Sequence, residues 1–377
     1  MNRRHLLGII GGGAILAATG IGWRVSRSAD AAVKPWELAG SAYTEPRRKA
    51  LSYAILAPNP HNRQPWLVDL STPDQVTLTV DTAKMLPHTD PLNRQITVGL
   101  GCFLELMVMA AAEDGYRVDL DLFPQGSDAA ALDGRPVCVA TFAKDANTKP
   151  DLLFAHVMTR RSVKEPYDTT RPVAPEIADR IAAAARSTRV GTDVSEASIE
   201  SLRKLSSDAL IIELETPRTY KESVDLFRIG ADEVNANPDG IDFSGPAFEA
   251  MHIAGIFSRE AAMDPQSTGY IEGRKAVLEN TTTAMGHIWQ VTPDNSREQQ
   301  IAAGRDWLRL NLASTAEGVS MQPLSQALQE YVEMEALYKE VHDRFAPDGG
   351  TVQMFARLGY AAPVAASPRW PLEAKIV

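Results

Sequence analysis

The sequence Ala57-Pro58-Asn59-Pro60-His61-Asn62-Arg63-Gln64-Pro65-Trp66 joins two segments with different hydrophobic patterns. Apolar residues recur at helical spacing from 45 to 57, and residues 66–70 have the composition of a strand. Proline fixes φ, so the prolines stiffen the connection between these two elements. A rigid loop that carries side-chain amides predicts a binding role. The alternative is an ordinary connection whose tryptophan packs in the core.

The pattern of the remaining elements predicts two related α+β halves, at residues 35–150 and 151–377. For the first half, the pattern predicts a long apolar helix and four strands, at 97–113, 66–70, 76–80, 117–123 and 137–142. For the second half, it predicts three helices and one extended segment, at 151–159, 177–185, 300–317 and 319–321. The sequences AAAEDGYRV (110–118) and ASTAEGVSM (313–321) share the order helix end, acidic residue, glycine and strand.

One segment, residues 230–295, fits neither half. It contains Pro238-Asp239-Gly240 and two predicted helices, at 247–257 and 271–285. Long insertions near active sites often cover them. The segment is therefore interpreted either as a lid over a site or as an ordinary helical insertion.

The composition excludes several classes of protein. The chain has 377 residues, of which 44% are hydrophobic and 23% are charged, which is enough for a sizeable core. Its net charge of −10, without a basic cluster interleaved with aromatics, argues against binding to nucleic acid. No Cys/His spacing typical of a metal site occurs. Cys102 and Cys138 lie in apolar stretches, which favours buried thiols over a disulfide between them.

Residues 1–31 are predicted to be an export signal. Arg3-Arg4 precedes an uncharged, glycine-rich segment from Leu6 to Trp23, which resembles a twin-arginine signal. Ala29-Asp30-Ala31 offers a cleavage site, but the apolar run is also long enough to anchor the chain in a bilayer. The expected partner is the twin-arginine translocase, and the expected location is the periplasm or cell envelope. The membrane would be contacted only through an uncleaved N-terminal segment.

Two further stretches carry cations that could bind a phosphate group. Residues 159–168 include Arg160, Arg161, Ser162 and Lys164, and guanidinium groups bind phosphate bidentately. In the stretch 367–373, prolines hold the chain extended and present Arg369. The alternatives are a solvated helix end and a surface tail.

Together, these three stretches resemble the flavin-binding nitroreductase family. APNPHNRQPW is similar to that family's S-P-S-x-x-N-x-Q-P-W, and RRSVKEPYD is similar to its R-[RH]-S-x-[RK]-x-[FY]. RLGYAAPVAASPRWPLE resembles its closing segment, which ends in an arginine before P-L-E. The resemblance covers most of the chain after residue 35 and implies a three-layer α/β/α fold. The amide loop precedes R-x-S, which resembles the Acg-like branch, where one chain carries two nitroreductase-like halves as a pseudo-dimer.

The two halves carry complementary parts of the family pattern. The first half has Asn62-x-Gln64-Pro65-Trp66 but no R-x-S ahead of its helix at 45–57. The second half has Arg160-x-Ser162 but no amide loop after its helix at 177–185. One complete site is therefore predicted, shared between the halves of a monomer or weak dimer.

The resemblance implies FMN as the cofactor and assigns its contacts. The phosphate, the ribityl chain and the pyrimidine edge would be held by Arg160, Arg161, Ser162 and Lys164, and Arg369 would reach the phosphate. The other half would contribute Pro58, Asn59, Pro60 and Asn62, with the Asn62 amide facing the ring. Backbone amides near flavin N5 would come from Gln322, Pro323, Leu324 and Ser325. Ala57 and Asn59 stand where the family has serines, and Lys164 stands where many members have arginine.

The implied activity is reduction of an electron-poor ring, such as a nitroaromatic or a quinone. The alternative is a non-catalytic flavin-binding protein whose site is closed by the insertion. NAD(P)H is one candidate electron donor, and a membrane quinol or a partner protein is another for an exported protein. No catalytic residue is assigned, since a loop histidine such as His61 is more often a packing residue than a proton donor.

Changing Arg3 and Arg4 together to Lys should leave the protein in the cytoplasm, because a twin-arginine signal depends on the arginine pair. The measurement is the distribution of the protein between cytoplasmic and envelope fractions. Unchanged export of the double variant would contradict the prediction.

Overall fold

The computed structural model describes residues 28–377. The Arg3-Arg4 pair and the apolar segment 6–23 lie outside the described residues, so the export signal stays a prediction. The described chain begins just before helix α1 (Asp30–Leu38), which includes part of the proposed cleavage motif Ala29-Asp30-Ala31.

The first half forms a four-stranded antiparallel sheet. Its elements are α2 (Pro46–Ala54), β1 (Trp66–Asp69), β2 (Gln75–Val80), α3 (Arg94–Glu113), β3 (Tyr116–Leu122) and β4 (Cys138–Lys144). The strand order is β1-β2-β4-β3. Helix α2 begins where Pro46 follows Glu45, whose carboxylate accepts the amide hydrogens of Arg47 and Arg48. Asp90 accepts the amide hydrogens of Gln95 and Ile96 in the first turn of α3.

A largely helical layer follows the first strand of the second half. The predicted helix at 151–159 is wrong, because only a 3₁₀ turn, Leu152–His156, forms there. Next come α4 (Pro175–Ala182) and β5 (Arg189–Asp193). The layer consists of α5 (Glu196–Glu215), α6 (Pro217–Asp225), β6 (Phe227–Ile229), α7 (Gly230–Ala236), β7 (Ile241–Phe243), α8 (Pro246–Ile253), α9 (Arg259–Met263) and α10 (Thr268–Thr282). Strands β6 and β7 pair in parallel.

The chain then completes a second four-stranded antiparallel sheet. Its remaining elements are β8 (Gly286–Thr292), α11 (Arg297–Ala316), β9 (Ser320–Pro323), α12 (Glu335–Phe345) and β10 (Thr351–Gly359). The strand order is β5-β8-β10-β9. In both sheets the order is therefore first, second, fourth and third along the chain, with a long helix between the second and third strands.

The inserted segment has different bounds from the predicted 230–295. Only residues 70–74 separate β1 from β2, whereas residues 194–285 separate β5 from β8. The layer thus begins before residue 230, and the end of the predicted segment 230–295 contains β8, a strand of the second sheet. A short apolar run fits a buried strand or a buried part of a helical segment equally well, so the sequence of β8 did not show that it belongs to the sheet.

The two long helices, α3 and α11, pack against each other at glycines. A Cβ atom at Gly101 would overlap the Ile301 carbonyl oxygen, and one at Gly304 would overlap the Val98 carbonyl oxygen. Both glycines are the eighth residue of their helix. One contiguous core contains apolar residues of both helices and both sheets.

Arginines at the first position of each long helix bind carbonyls of the other half. Arg94 of α3 donates to the carbonyl oxygens of Gln353 at 2.6 Å and Leu328 at 2.7 Å. Arg297 of α11 donates to Asp128 O at 3.0 Å and Ala129 O at 3.2 Å. Buried Glu105 of α3 also pairs with Arg305 and Arg309 of α11. The halves are thus joined by polar contacts as well as by the core.

The expectation of free thiols is confirmed, since Cys102 and Cys138 are both buried and unpaired. Burial raises the pKa of each thiol to about 12. Among the described residues, only α3 is long and apolar enough to span a membrane, with a mean hydropathy of 1.7, but 83% of that stretch is buried inside the protein.

Gly304→Ala should lower the free energy of unfolding by roughly 1–3 kcal/mol, because its methyl group meets the α3 backbone. Gly273→Ala is the matched control, since it lies within α10 with open space around it. That change should raise the free energy of unfolding by up to about 1 kcal/mol through helix propensity. Urea unfolding of both variants measures the difference, and equal effects would contradict the close crossing.

Candidate functional site

The opening loop has an unusual backbone. His61, Asn62 and Gln64 have φ values of 46°, 51° and 51°, in the left-handed region that residues other than glycine seldom adopt. Such conformations persist only where surrounding contacts determine them. Trp66 supplies one anchor, because it is fully buried and stacks on Phe103 of α3 with ring centroids 5.0 Å apart. The tryptophan therefore packs in the core, as the alternative interpretation of the loop stated.

Side-chain amides hold the loop to distant segments. Gln64 Nε2 donates to Pro238 O at 2.6 Å, and Gln64 Oε1 accepts the Trp370 amide hydrogen at 2.9 Å. Asn62 Oδ1 accepts from Arg369 at 2.7 Å, and its Nδ2 donates to Pro368 O at 3.1 Å. The Asn62 amide was expected to face a flavin ring, but here both of its ends bind the C-terminal segment.

Three arginines meet beneath this loop, and we call Arg160, Arg161 and Arg369 the arginine cluster. Arg160 and Arg369 are 3% and 2% exposed, although each carries a charge. Both donate to the Leu56 carbonyl oxygen, at 3.2 Å and 3.1 Å. Arg161 is half-buried and donates to Arg160 O at 2.7 Å. The cluster therefore joins the loop, the cationic segment (residues 159–168) and the C-terminal segment (residues 367–373).

The arginine cluster has no counterion among the described residues. Its guanidinium groups bind carbonyl, amide and hydroxyl oxygens, and none of them pairs with a carboxylate of residues 28–377. The Nε–H groups of Arg161 and Arg369 are buried without an acceptor. Burial, followed by neighbouring arginines, lowers the pKa of Arg160 to about 10 and that of Arg369 to about 9. Concentrated positive charge with unused donors fits a phosphate group.

A second group of titratable residues surrounds Lys164. Burial, followed by the charges of Lys164 and Arg63, lowers the pKa of His61 to about 4, so His61 is neutral at pH 7. Lys164 is accessible to solvent, yet the surrounding protein partly desolvates its ammonium and lowers its pKa. Burial raises the pKa of Glu213, on α5, to about 7, although Gln329 Nε2 donates to its carboxylate at 2.7 Å.

The predicted flavin-edge residues are mostly engaged within the protein. Val163 donates to Met321 O at 3.1 Å, which places the cationic segment beside 322–325. The Leu324 amide, however, donates to Phe355 O at 2.9 Å and so is not free for another acceptor. Gln322 accepts from Arg357, and Pro323 has no amide hydrogen. Ser325 donates its hydroxyl to Phe355 O at 3.2 Å.

The remaining predicted residues line the same region. Asn59 Oδ1 accepts the Gln64 amide hydrogen at 2.7 Å, so this side chain stabilises the loop. Three others are half-buried, namely Pro58, Pro60 and Ser162.

Sequence patterns missed Arg357, a fully buried arginine on the central strand β10. It donates to Gln322 Oε1 at 2.6 Å, to Glu165 O at 2.7 Å and to the Asn280 carbonyl oxygen. It therefore fixes the backbone of the cationic segment. A single arginine within the apolar sequence QMFARLGY was the available signal, because an unpaired charge is rarely buried.

The helical layer contacts two parts of the candidate site. Gly240 donates to Asn62 O at 3.2 Å, and Lys84 pairs with Asp239 at 2.5 Å beside the loop. From α10, Asn280 Nδ2 donates to Lys164 O at 2.8 Å. These contacts place the layer against the loop and the cationic segment.

Comparison with known proteins identifies relatives among nitroreductases. No family model matches the chain. Over 325 residues it is 25% identical to "Putative NAD(P)H nitroreductase Rv3131" of Mycobacterium tuberculosis strain H37Rv, covering 86% of this chain and 87% of that protein. The figures are the same for "Putative NAD(P)H nitroreductase MT3217" of strain CDC 1551. The chain is thus similar in sequence to these proteins along most of its length.

Two solved structures show remote similarity. A Bacteroides fragilis nitroreductase with bound FMN is 14% identical, with a TM-score of 0.33, covering 57% of this chain and 91% of that chain. The FMN-dependent nitroreductase NfnB of Mycobacterium smegmatis, in complex with NADPH, is 17% identical, with a TM-score of 0.34. The matched region covers 57% of this chain and 92% of the NfnB chain.

Glu213→Gln should remove a pH-dependent part of the free energy of unfolding. The folded carboxyl has a pKa of about 7 against a reference value of 4.5, so between these values only the folded state keeps the proton. The contribution of this bound proton to the free energy of unfolding is complete below pH 4.5 and is lost as the pH rises through about 7. Between about pH 5 and 7, the wild type should lose on the order of 1–3 kcal/mol relative to the variant.

The measurement is urea unfolding across that pH range. Glu215→Gln, at an exposed position on the same helix where the carboxylate pairs with Arg274, is the control for the change of residue type. A pH-independent difference between wild type and Glu213→Gln would contradict a buried, protonated carboxyl.

Proposed function

We propose that this chain is an FMN-binding, nitroreductase-like oxidoreductase that holds one flavin between its two halves. Its substrate would be an electron-poor ring, such as a nitroaromatic or a quinone. FMN, when bound, supplies the redox chemistry, while the protein supplies binding and position. The related M. tuberculosis proteins named as nitroreductases support this assignment.

The observation that carries the proposal is the arginine cluster without a counterion. Burying a guanidinium group away from water is costly, and no carboxylate of the described chain offsets that cost here. A phosphate dianion would accept from the two buried Nε–H groups that have no acceptor. Hydrogen bonds to charged groups contribute about 1.5–3 kcal/mol each. The cluster therefore fits the phosphate end of FMN.

Other residues would act on the site in separate ways. Asn62 would position Arg369 through its 2.7 Å hydrogen bond rather than contact the ring. Arg357 would hold the backbone around Glu165 and so orient Lys164. His61, neutral at pH 7, does not add to the positive charge of the site.

The equal strand order of the two sheets supports a pseudo-dimer of two nitroreductase-like halves within one chain. The reciprocal contacts of Arg94 and Arg297 support it further, because each half supplies the same kind of contact to the other. We also propose export by the twin-arginine pathway, on the sequence of residues 1–31 alone, to the periplasm or cell envelope.

The second candidate function is flavin binding without turnover. The contacts of the helical layer with the loop and with Lys164 favour it, because a layer fixed at both places restricts access. NAD(P)H remains the first electron donor to test, since the names of the relatives include it.

The purified chain should release one FMN per polypeptide on denaturation, because residues 28–377 contain one such arginine cluster. Arg160→Ala should weaken FMN binding by roughly ten- to a hundredfold, through loss of a charged donor. Fluorescence titration with FMN measures the dissociation constant.

Arg180→Ala is the control, because this exposed arginine pairs with Glu317 on the surface. Asn62→Ala should cost less, about 1 kcal/mol, by releasing Arg369. Two flavins per chain, or affinity indifferent to Arg160, would overturn the shared site.

Anaerobic titration with NADPH separates the two candidate functions. We expect slow steady-state oxidation of NADPH, because the helical layer is tied to the loop. Gln64→Ala removes the bond to Pro238 and should raise the rate of flavin reduction if the layer limits access. Fast turnover by the wild type would show that the layer does not close the site.

A further inference from the structure

Helix α1 lies against the arginine cluster. Its Trp36 is 6% exposed, and the guanidinium carbons of Arg161 and Arg369 lie 4.7 Å and 5.7 Å from its ring centroid. Trp36 Nε1 donates to Ser367 O at 2.9 Å. The Arg369 amide donates to the Ala32 carbonyl oxygen at 2.8 Å. The helix therefore contacts the cluster through both its ring and its backbone.

These contacts bear on the electrostatics of the cluster. Neighbouring arginines repel one another, and the electron-rich face of an indole offsets part of such repulsion. The helix also excludes water from the side of the cluster that it covers. Interactions between charges strengthen where water is excluded, so a covered cluster binds an anion more tightly than an open one.

We propose that α1 is part of the anion-binding site, with Trp36 positioning Arg161 and Arg369 for a phosphate group. If covering the cluster strengthens anion binding, then anion binding must strengthen the docking of α1 by the same factor. The identity of the anion as the phosphate of FMN rests on the proposed function, whereas the coupling to a phosphate group does not.

Hydrogen exchange of the full chain tests the coupling directly. The chain is compared alone, with FMN, with inorganic phosphate, and with riboflavin, which lacks the phosphate. Exchange of the α1 amides should slow by about fivefold or more with FMN and with inorganic phosphate, the lower end of typical coupling. Riboflavin should leave it unchanged. Helix α2 serves as the internal reference.

Two variants, Trp36→Leu and Trp36→Phe, test whether an aromatic ring at this position is needed for binding of the phosphate group. The leucine variant should bind FMN about fivefold or more weakly, with riboflavin affinity unchanged, whereas phenylalanine should restore most of the FMN affinity. If Trp36→Leu fails to fold, the exchange data on the wild type decide.

The outcomes separate this inference from the proposed function. FMN binding without protection of α1 would overturn the coupling and leave the function intact. Protection of α1 by inorganic phosphate without FMN binding would support the coupling and overturn the function. Equal protection by riboflavin would show that the phosphate plays no part and would overturn the coupling.

Discussion

The crossing of α3 and α11 at Gly101 and Gly304 is the constraint on which the rest of the structure depends. Without side chains there, the two helix backbones approach until each glycine meets a carbonyl of the other helix. This approach sets the spacing of the two sheets, because each helix is also packed within the common core. A larger residue would move one half relative to the other. Every contact across the halves, including the arginine cluster, would shift with it.

The arginine cluster illustrates how the fold stabilises charge that it does not neutralise. Arg160 and Arg369 both donate to the Leu56 carbonyl oxygen at the end of the helix-to-loop segment. Carbonyl dipoles satisfy the donors but do not remove the net charge, so the guanidinium pKa values remain lowered. This net positive charge is what the phosphate group of our proposal would neutralise. Trp36 adds a polarisable face without adding a counterion.

The helical layer between β5 and β8 gives the second half a role that the first half lacks. It has a small aromatic core of its own, with Phe227, Phe243 and Phe257 in mutual contact. The layer also contains Pro238, whose carbonyl oxygen accepts from Gln64 of the loop, and Asp239, which pairs with Lys84. The short connection between β1 and β2 contains no equivalent of this layer. The two sheets therefore have the same strand order, but only the second has a helical layer inserted after its first strand. This asymmetry agrees with our proposal of one site per chain.

The sequence by itself determined the α+β class, the strands β1 to β4 with helices α2 and α3, the buried thiols and the three stretches of the candidate site, because periodicity and residue chemistry are local properties. It missed helix α5 and strands β5, β8 and β10 of the second half. It placed Trp66 in the core, as observed. Only the tertiary structure decided that the Asn62 amide binds Arg369, that the Leu324 amide is engaged, and that Arg357 supports the cationic segment. The sequence also did not predict that the Trp36 ring lies against Arg161 and Arg369. These contacts join residues far apart in the chain, and their partners follow from the packing of the halves, which no local pattern encodes.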